Sequence, residues 1–366
     1  MTWRDRRHPR AGGAELVNEE VAKRLARDGH EVKFIVGSFP GSTTEEKRDG
    51  FSIVRLGNRF TVYWKAYRYY KKHLRGTFDI VIDEMNTIPF FAKLYVKERN
   101  IMFVHQLCRE IWFYEMPFPL SLIGYLLEPL YLRLLSFGSP VVVTVSESTK
   151  KDLLRFGFRS EKIHIISEGI EMQPLSTFDF PLSTKYSVPT ILALGAIRAM
   201  KRTYDILKAF EHVRSTIPDA RLILVGEPEG RYGKRVLAFA KRSMFARDIE
   251  CVGKVDAAKK IELLQKSHVL AVASVKEGWG LTVTEANSQG TPAVVYDVDG
   301  LRDSVRDGET GIITKKNTPA ALANSLARLL ANESVYVAMQ KNALAWSKEI
   351  TFENSYRDFK NIVLKR

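Results

Sequence analysis

Cysteine is scarce: the 366-residue chain holds two, Cys108 and Cys251. Their spacing fits no metal or redox motif, so they read as buried thiols of a reducing compartment. A membrane-spanning run is lacking as well. The longest apolar stretch, Met116 to Phe137, carries Pro117, Pro119, Glu128, Pro129 and Arg133, whereas a spanning helix needs about 20 mainly apolar residues without such interruptions. The N-terminus, Met1-Thr2-Trp3-Arg4-Asp5-Arg6-Arg7-His8, is basic, and no apolar run follows it, which argues against a secretory signal. The chain is therefore expected in the cytoplasm, or as a peripheral protein on the cytosolic face of a membrane. Short repeats, low-complexity segments and the dinucleotide fingerprint G-x-G-x-x-G are also missing. Acidic residues are outnumbered: 56 Lys and Arg against 42 Asp and Glu leave a formal net charge of +14. That excess suits a polyanionic partner, whether nucleic acid, anionic lipid or a phosphate-bearing substrate, and it equally fits a generally basic surface.

What is present is an ordinary globular composition, 45% hydrophobic and 27% charged, on a chain too long for one core. Helical and strand patterns alternate, which predicts α/β layers around largely parallel sheets. In the first half, Glu15 to Arg27 has helical spacing, with Leu16, Val17, Val21, Ala22 and Leu25 on one side, and Gly29 stops it. Strands are expected at Val32 to Val36, Ile53 to Leu56, Ile80 to Ile82, Ile101 to Val104, Val141 to Val145 and Ile163 to Ile166. A loop with Gln173, Pro174, Pro181 and Pro189 separates the halves, and a second strand series follows at Thr190 to Leu194, Leu222 to Val225, Glu250 to Val252, Val269 to Ala273 and Ala293 to Tyr296. From Pro319 onward the pattern is largely helical. The expected domains are residues 1–175 and 176–349, with a helix over about 350–366 packing back on the first. One strand is nearly missing. A Rossmann unit begins with a strand leading into its first glycine turn, yet Gly12-Gly13 follows only polar and basic residues. Either the chain starts late, or Thr2-Trp3-Arg4 is the stub of that strand.

The strongest chemical signal is Lys276-Glu277-Gly278-Trp279-Gly280-Leu281-Thr282-Val283-Thr284-Glu285-Ala286. A strand leads into a turn with two glycines and then into a helix. Glycines let a phosphate approach the main chain, and the helix N-terminus offers N–H groups and a positive dipole end. Glu277 precedes the turn and Glu285 lies two helical turns on, pointing the same way. Such a pair suits hydrogen bonding to sugar hydroxyls on both sides of a diphosphate; a structural glycine turn with two solvated glutamates is the alternative. The segment closely resembles the donor-site motif of the family-4 retaining glycosyltransferases of the GT-B fold, and Ala286-Asn287-Ser288-Gln289-Gly290-Thr291-Pro292-Ala293-Val294-Val295 continues the likeness. The resemblance implies two facing Rossmann-like domains with a cleft between them. It assigns Glu277 to hydroxyls of the transferred sugar, Glu285 to the nucleotide ribose, and the turn through Gly278, Trp279, Gly280, Leu281 and Thr282 to the diphosphate.

A second signal, Gly195-Ala196-Ile197-Arg198-Ala199-Met200-Lys201, follows the first strand of the second half. Arg and Lys at a strand end can clamp a diphosphate, although two solvated cations are the plainer reading. In the resembled family this loop supplies an Arg and a Lys that neutralise the leaving group. Lys201 matches, while the family Arg falls at Ala196 and this sequence carries Arg198 instead. The Gly12-Gly13 turn resembles the family's N-terminal glycine loop, which closes over the donor phosphates. His105, just past a strand end, is on its own more often structural, but it sits where the family has a functional histidine near the sugar's primary hydroxyl. Lys254 and Val255 resemble the loop whose backbone reads the base. Asp297-Val298-Asp299 imitates a metal-binding D-x-D but reads as a loop, because the family holds its diphosphate with Arg, Lys and a helix dipole and needs no metal or other cofactor beyond the substrate, a UDP- or GDP-hexose.

The acceptor side is less defined. Asp83-Glu84-Met85-Asn86 and Ser146-Glu147-Ser148 follow strands of the first half, and Glu84 and Asn86 are the candidates there. Arg59-Phe60-Thr61-Val62-Tyr63-Trp64-Lys65-Ala66-Tyr67-Arg68-Tyr69-Tyr70-Lys71-Lys72 mixes aromatic and basic residues, and Ile111-Trp112-Phe113-Tyr114-Glu115-Met116-Pro117-Phe118 continues the theme through Trp112 and Tyr114. That mixture suits an anionic membrane interface and a lipid-linked or carbohydrate acceptor; a helix with aromatics inward and charges outward is the alternative. Single-stranded nucleic acid ranks behind, because no nucleic-acid module accompanies it. The resemblance implies hexosyl transfer with retention of configuration, the leaving group stabilised by Lys201, Arg198 and the helix after Gly280. The rival readings are a sugar-nucleotide epimerase or phosphorylase of the same fold, and a non-catalytic lipid- or nucleic-acid-binding protein on a degenerate transferase fold.

Overall fold

The computed structural model describes residues 1–175 and 185–364; Pro181 of the expected linker lies outside them. The chain divides into two compact units, Met1–Gly169 with Phe352–Arg366, and Ile170–Thr351. The first boundary thus falls a little earlier than the proline-bearing loop suggests. Among the described residues no helix is long and apolar enough to cross a membrane.

In unit 1 the strands are β1 (Lys33–Val36), β2 (Glu45–Arg48), β3 (Phe51–Arg55), β4 (Ile80–Met85), β5 (Arg99–Val104), β6 (Val141–Thr144) and β7 (Ile163–Ile165). They form a three-stranded group ordered β1-β3-β2 and a parallel four-stranded group ordered β4-β5-β6-β7. β2 pairs antiparallel to β3; its sequence, Glu-Glu-Lys-Arg, has no apolar alternation that could announce a strand. The two groups are joined by the first residues of the chain. Thr2 N–H donates to Ile35 O and Gly37 N–H to Trp3 O on the β1 side, while the Met1 ammonium donates to Ile82 O and Glu84 N–H to Met1 O on the β4 side. Thr2 and Trp3 therefore do occupy the place of the missing first strand. A largely apolar cavity of about 560 Å³ lies beside Met1, lined in part by Phe34, Leu74, Val81 and Phe359.

The helices of unit 1 are α1 (Gly13–Arg27), α2 (Val62–Tyr69), α3 (Trp112–Glu115), α4 (Leu120–Ser136) and α5 (Glu147–Arg155). α1 buries Val17, Val21, Ala22 and Leu25 as its spacing predicts, but also Glu15, Asn18, Glu19 and Glu20. Those carboxylates are paired: Glu15 with Arg4 at 2.8 Å, Glu20 with Arg24 at 2.7 Å, and Glu19 with Arg48. Asp5 adds a buried pair with Arg55 at 2.7 Å, so the basic leader is fastened to the sheet and delivers Gly12-Gly13 to the start of α1. α5 opens on Ser146, whose hydroxyl accepts from Thr149 N–H.

Unit 2 holds a six-stranded parallel sheet of β8 (Thr190–Leu194), β9 (Arg221–Val225), β10 (Ile249–Gly253), β11 (Val269–Val272), β12 (Ala293–Val295) and β13 (Gly311–Ile313), ordered β10-β9-β8-β11-β12-β13. β13 is three residues long and was not anticipated. The helices are α6 (Thr203–Thr216), α7 (Gly230–Arg242), α8 (Ala257–Lys266), α9 (Leu281–Ser288), α10 (Pro319–Leu330) and α11 (Glu333–Ser347). Side-chain caps start several of them: Asp256 on α8, Thr318 with Pro319 behind it on α10, and Asn332 on α11. Central strands β8, β9, β11 and β12 are buried on both faces, as a parallel sheet covered by helices requires. β10 lies at the sheet edge, which corrects one expectation: Cys251, on that strand, is exposed, while Cys108 is buried.

The last helix, α12 (Phe352–Val363), belongs to unit 1. Tyr356 and Lys360 both bind Asp28 Oδ2, at 2.8 and 2.6 Å, and Arg24 Nε reaches Glu353 at 2.9 Å.

Candidate active site

In unit 2 the chain order reverses at β8, with β9 on one side and β11 on the other. Ligands of parallel α/β sheets gather at such a switch point, outside the carboxyl ends of the strands. The two strongest sequence motifs leave the sheet at this place. The loop after β8 carries half-buried Arg198 and Lys201, and the loop after β11 carries Glu277 and the glycine turn. Val275 N–H donates to Met200 O at 2.8 Å and ties the loops together. Across this tie Lys201 Nζ sits 2.5 Å from Glu277 Oε1, and Ser274 Oγ donates to the same oxygen at 2.5 Å. The backbone of Glu277 is pinned as well. Its N–H donates to Asp299 O, and Gly300 approaches so closely that a Cβ there would stand 2.3 Å from Glu277 O.

Gly280 caps α9 in the left-handed region, at φ +114°, where a side chain would be strained and would also press on Ser304 Oγ at 2.7 Å. This geometry lets the chain turn abruptly and present the first N–H groups of α9 beside Lys201, with the positive end of the helix dipole. A small cavity of about 20 Å³ at this point is lined by Gly195, Lys201, Ser274 and Thr282 among others. Trp279 is buried, its indole N–H donating to Thr284 Oγ1 at 2.9 Å; its side chain supports the turn from within, and only its backbone is left for a ligand. Glu285, inside α9, is paired with Lys260 Nζ at 2.6 Å. Lys254 and Val255 follow β10, the first exposed and the second packed against the unit's core. Asp297 and Asp299 are both neutralised, by Arg302 at 2.7 and 3.0 Å and, for Asp299, by Lys276 at 3.1 Å. Among the described residues no group of His, Cys, Asp and Glu could hold a metal ion.

In unit 1 two of the sequence candidates, Glu84 and His105, meet at the carboxyl ends of β4 and β5, with Glu168 beyond β7 beside them. His105 is buried, with Nδ1 at 2.7 Å from Glu168 Oε1 and Nε2 at 3.3 Å from Glu84 Oε1. Burial disfavours the imidazolium, but the Glu168 hydrogen bond and the closeness of both Glu168 and Glu84 outweigh it and push the His105 pKa up to about 10. Burial by itself would raise Glu84; the neighbouring His105 and the polar side chains of Asn18 and Thr2 hold its carboxyl below the usual range. Phe103 stacks on the His105 ring at 4.6 Å. Gly12 N–H donates to Glu15 Oε2 at 2.6 Å, closing the turn in which Gly13 begins α1. Asn86 is half-buried and Tyr114 exposed. Trp112 instead is buried, its indole N–H spent on Glu128 Oε2 at 3.0 Å. It packs unit 1 and has no free polar edge for an acceptor.

Three residues were missed in the sequence. Ser274 and Glu168 each lie just past a strand end, so the strand-end rule applied without a motif would have found them. Lys260 lies within α8, and only the packing of α8 on α9 brings it to Glu285.

Comparison with known proteins gives the family and the fold. Residues 11–173 match the family described as Glycosyltransferase Family 4, and residues 177–346 match Glycosyl transferases group 1. The N-acetyl-alpha-D-glucosaminyl L-malate synthase of Bacillus anthracis is 23% identical over 394 residues, covering 97% of each chain. Two solved structures share the fold: the sucrose-phosphate synthase of Thermosynechococcus elongatus, with TM-score 0.77 at 17% identity over 96% of this chain and 92% of that one, and Anabaena Alr3699/HepE in complex with UDP-glucose, with TM-score 0.75 at 16% identity over 98% and 97%. With two matched family regions spanning nearly the whole sequence and two parallel α/β units beneath them, the chain belongs to the family-4-like glycosyltransferases of the GT-B fold.

Proposed function

We propose that this glycosyltransferase moves a hexosyl group from a nucleotide-diphosphate sugar, with retention of configuration and without a metal, to a lipid-linked or membrane-surface acceptor. The observation that carries the reading is the Lys201–Glu277 pair beside the Gly280 turn at the switch point of unit 2. A cation, a carboxylate and a helix N-terminus converge where a diphosphate and its sugar would lie. Lys201 and Arg198, with the first N–H groups of α9, would take the negative charge that develops on the departing diphosphate. Glu277 would accept from hydroxyls of the transferred sugar, and Glu285 from the ribose. Lys254 and Val255 would border the base through their backbone. The UDP-glucose held by the Anabaena neighbour makes a uridine donor the first to try.

The test is direct. The purified chain is incubated with UDP- and GDP-hexoses and candidate acceptors, and release of nucleoside diphosphate is followed with and without acceptor. Acceptor-dependent release, a product of the donor's anomeric configuration and insensitivity to chelator are expected. Release of diphosphate without acceptor, or an inverted product, would overturn the reading.

A further inference from the structure

α4 is turned inside out. Of the apolar stretch that the sequence analysis found too interrupted to span a membrane, Leu122, Ile123, Leu126, Leu127, Leu130 and Leu134 are all exposed. At 100° per residue they cover a sector about 140° wide, broken by Arg133 near its end, the width of a face that globular helices ordinarily bury. Phe118 before the helix and Phe137 after it are 79% and 83% exposed, extending the apolar surface at both ends. The inward face carries the polar group. Glu128 is buried, and its carboxylate accepts from the backbone N–H groups of Cys108 and Arg109, at 2.7 and 2.6 Å, and from the Trp112 indole. Gly124 lies against the Trp112 ring, where a Cβ would stand 2.5 Å from its atoms. These contacts lock the rotation of the helix. It cannot roll its leucines inward without stranding Glu128 and striking Trp112, so the apolar stripe is a built surface.

We infer that this face of unit 1 lies in the plane of an anionic lipid bilayer, with the leucine stripe of α4 entering the boundary between headgroups and acyl chains. Charge decides for lipid over a protein partner. The exposed side of α4 has no acidic residue, and its one exposed charge is Arg133. Arg59 reaches Met116 just before the helix, at 3.0 Å, and Lys93 binds the carbonyls of Leu135 and Phe137 at its end. α2, three residues after Arg59 in the chain, exposes Trp64, Lys65 and Arg68. An apolar stripe with cations at both its ends, on a chain of net charge +14, is complementary to anionic headgroups above acyl chains. A 17-residue helix is about 25 Å long, ample for lying in an interface. The inference deepens the membrane-surface part of the proposed function; its test needs neither donor nor turnover, so the two readings can fail separately.

The full chain is sedimented with large unilamellar vesicles of phosphatidylcholine alone, or with roughly one-third phosphatidylglycerol. Wild type is expected to pellet with the anionic vesicles and to be partly released by added salt. The double variant Leu126→Glu/Leu130→Glu should lose at least about tenfold in partitioning, with an unchanged far-ultraviolet spectrum and melting profile. Leu126→Ser/Leu130→Ser, which adds no charge, should fall between. Wild type remaining in the supernatant with both vesicle types would overturn the inference. So would light scattering that shows a dimer abolished by these variants while vesicle binding is unaffected, which would assign the stripe to a second copy of the chain.

Discussion

Lys201 and Glu277, 76 positions apart in the chain, meet at 2.5 Å over the carboxyl end of the unit 2 sheet. Each is the partner that the other would exchange for substrate: Lys201 for a phosphate oxygen, Glu277 for a sugar hydroxyl. Both side chains keep some exposure, 25% and 16%, so the pair adds at most about 1 kcal/mol to folding. Glu277→Gln should therefore melt near wild type and bind free nucleoside diphosphate at least as tightly, while transfer falls by about 100-fold or more. Lys201→Met should lose diphosphate affinity as well. Isothermal titration with the free diphosphate, beside a transfer assay, separates the two; equal loss of diphosphate binding in both variants would contradict the division of roles.

The Lys260–Glu285 contact gives a prediction of opposite signs. If Glu285 binds ribose, Glu285→Ala weakens nucleotide binding by about tenfold, the worth of one charge-assisted hydrogen bond. Lys260→Met frees the same carboxylate and should leave affinity unchanged or improve it. Titration of a nucleotide against its 2′,3′-dideoxy analogue reads the difference, since the analogue should be insensitive to Glu285.

His105 makes unit 1 sensitive to alkali. Its folded-state pKa is raised to about 10 from the ordinary value of about 6.5. The stabilisation is then fully present below pH 6.5 and is lost as pH rises toward 10, at a slope approaching about 1.4 kcal/mol per pH unit. Urea unfolding of wild type and His105→Gln at pH 7, 8 and 9 should show the stability gap narrowing with each step. A gap that stays constant over that range would mean the imidazole is neutral in the folded chain.

Glu128 and Gly124 should each be intolerant of small changes. Glu128→Ala leaves three buried donors without an acceptor, at a cost of about 3 kcal/mol or more. Gly124→Ala forces a methyl against the Trp112 ring and should cost about 1–3 kcal/mol. Thermal denaturation measures both. The outward Leu126→Ser/Leu130→Ser variant, by contrast, should melt near wild type, since those side chains are already half in water.

Much of the architecture was legible because periodicity and glycine placement are local signals. Most strands of both units and the glycine turn before α9 follow from them. The Glu277-to-Glu285 motif was legible for the same reason: its carboxylates and glycines lie within one strand-turn-helix. What escaped depends on tertiary packing. β2 is a strand only because β3 pairs with it, and β13 is too short to show a period. Acidic residues on the buried side of α1 defy an apolar stripe because Arg4, Arg24 and Arg48 arrive from elsewhere to pair them. Trp112 is buried and unavailable to an acceptor because it packs on the inward-turned Glu128, which no spacing in the sequence announces.

The Met1 ammonium is buried, hydrogen-bonded to Ile82 O, and its pKa is lowered by burial despite the nearby charges of Asp83 and Glu84. A positive charge there performs the work of an ordinary peptide N–H at the dehydration cost of an ion. Residues Met1 to Trp3 thus hold the two strand groups of unit 1 together, so a change to their backbone would act on the sheet itself.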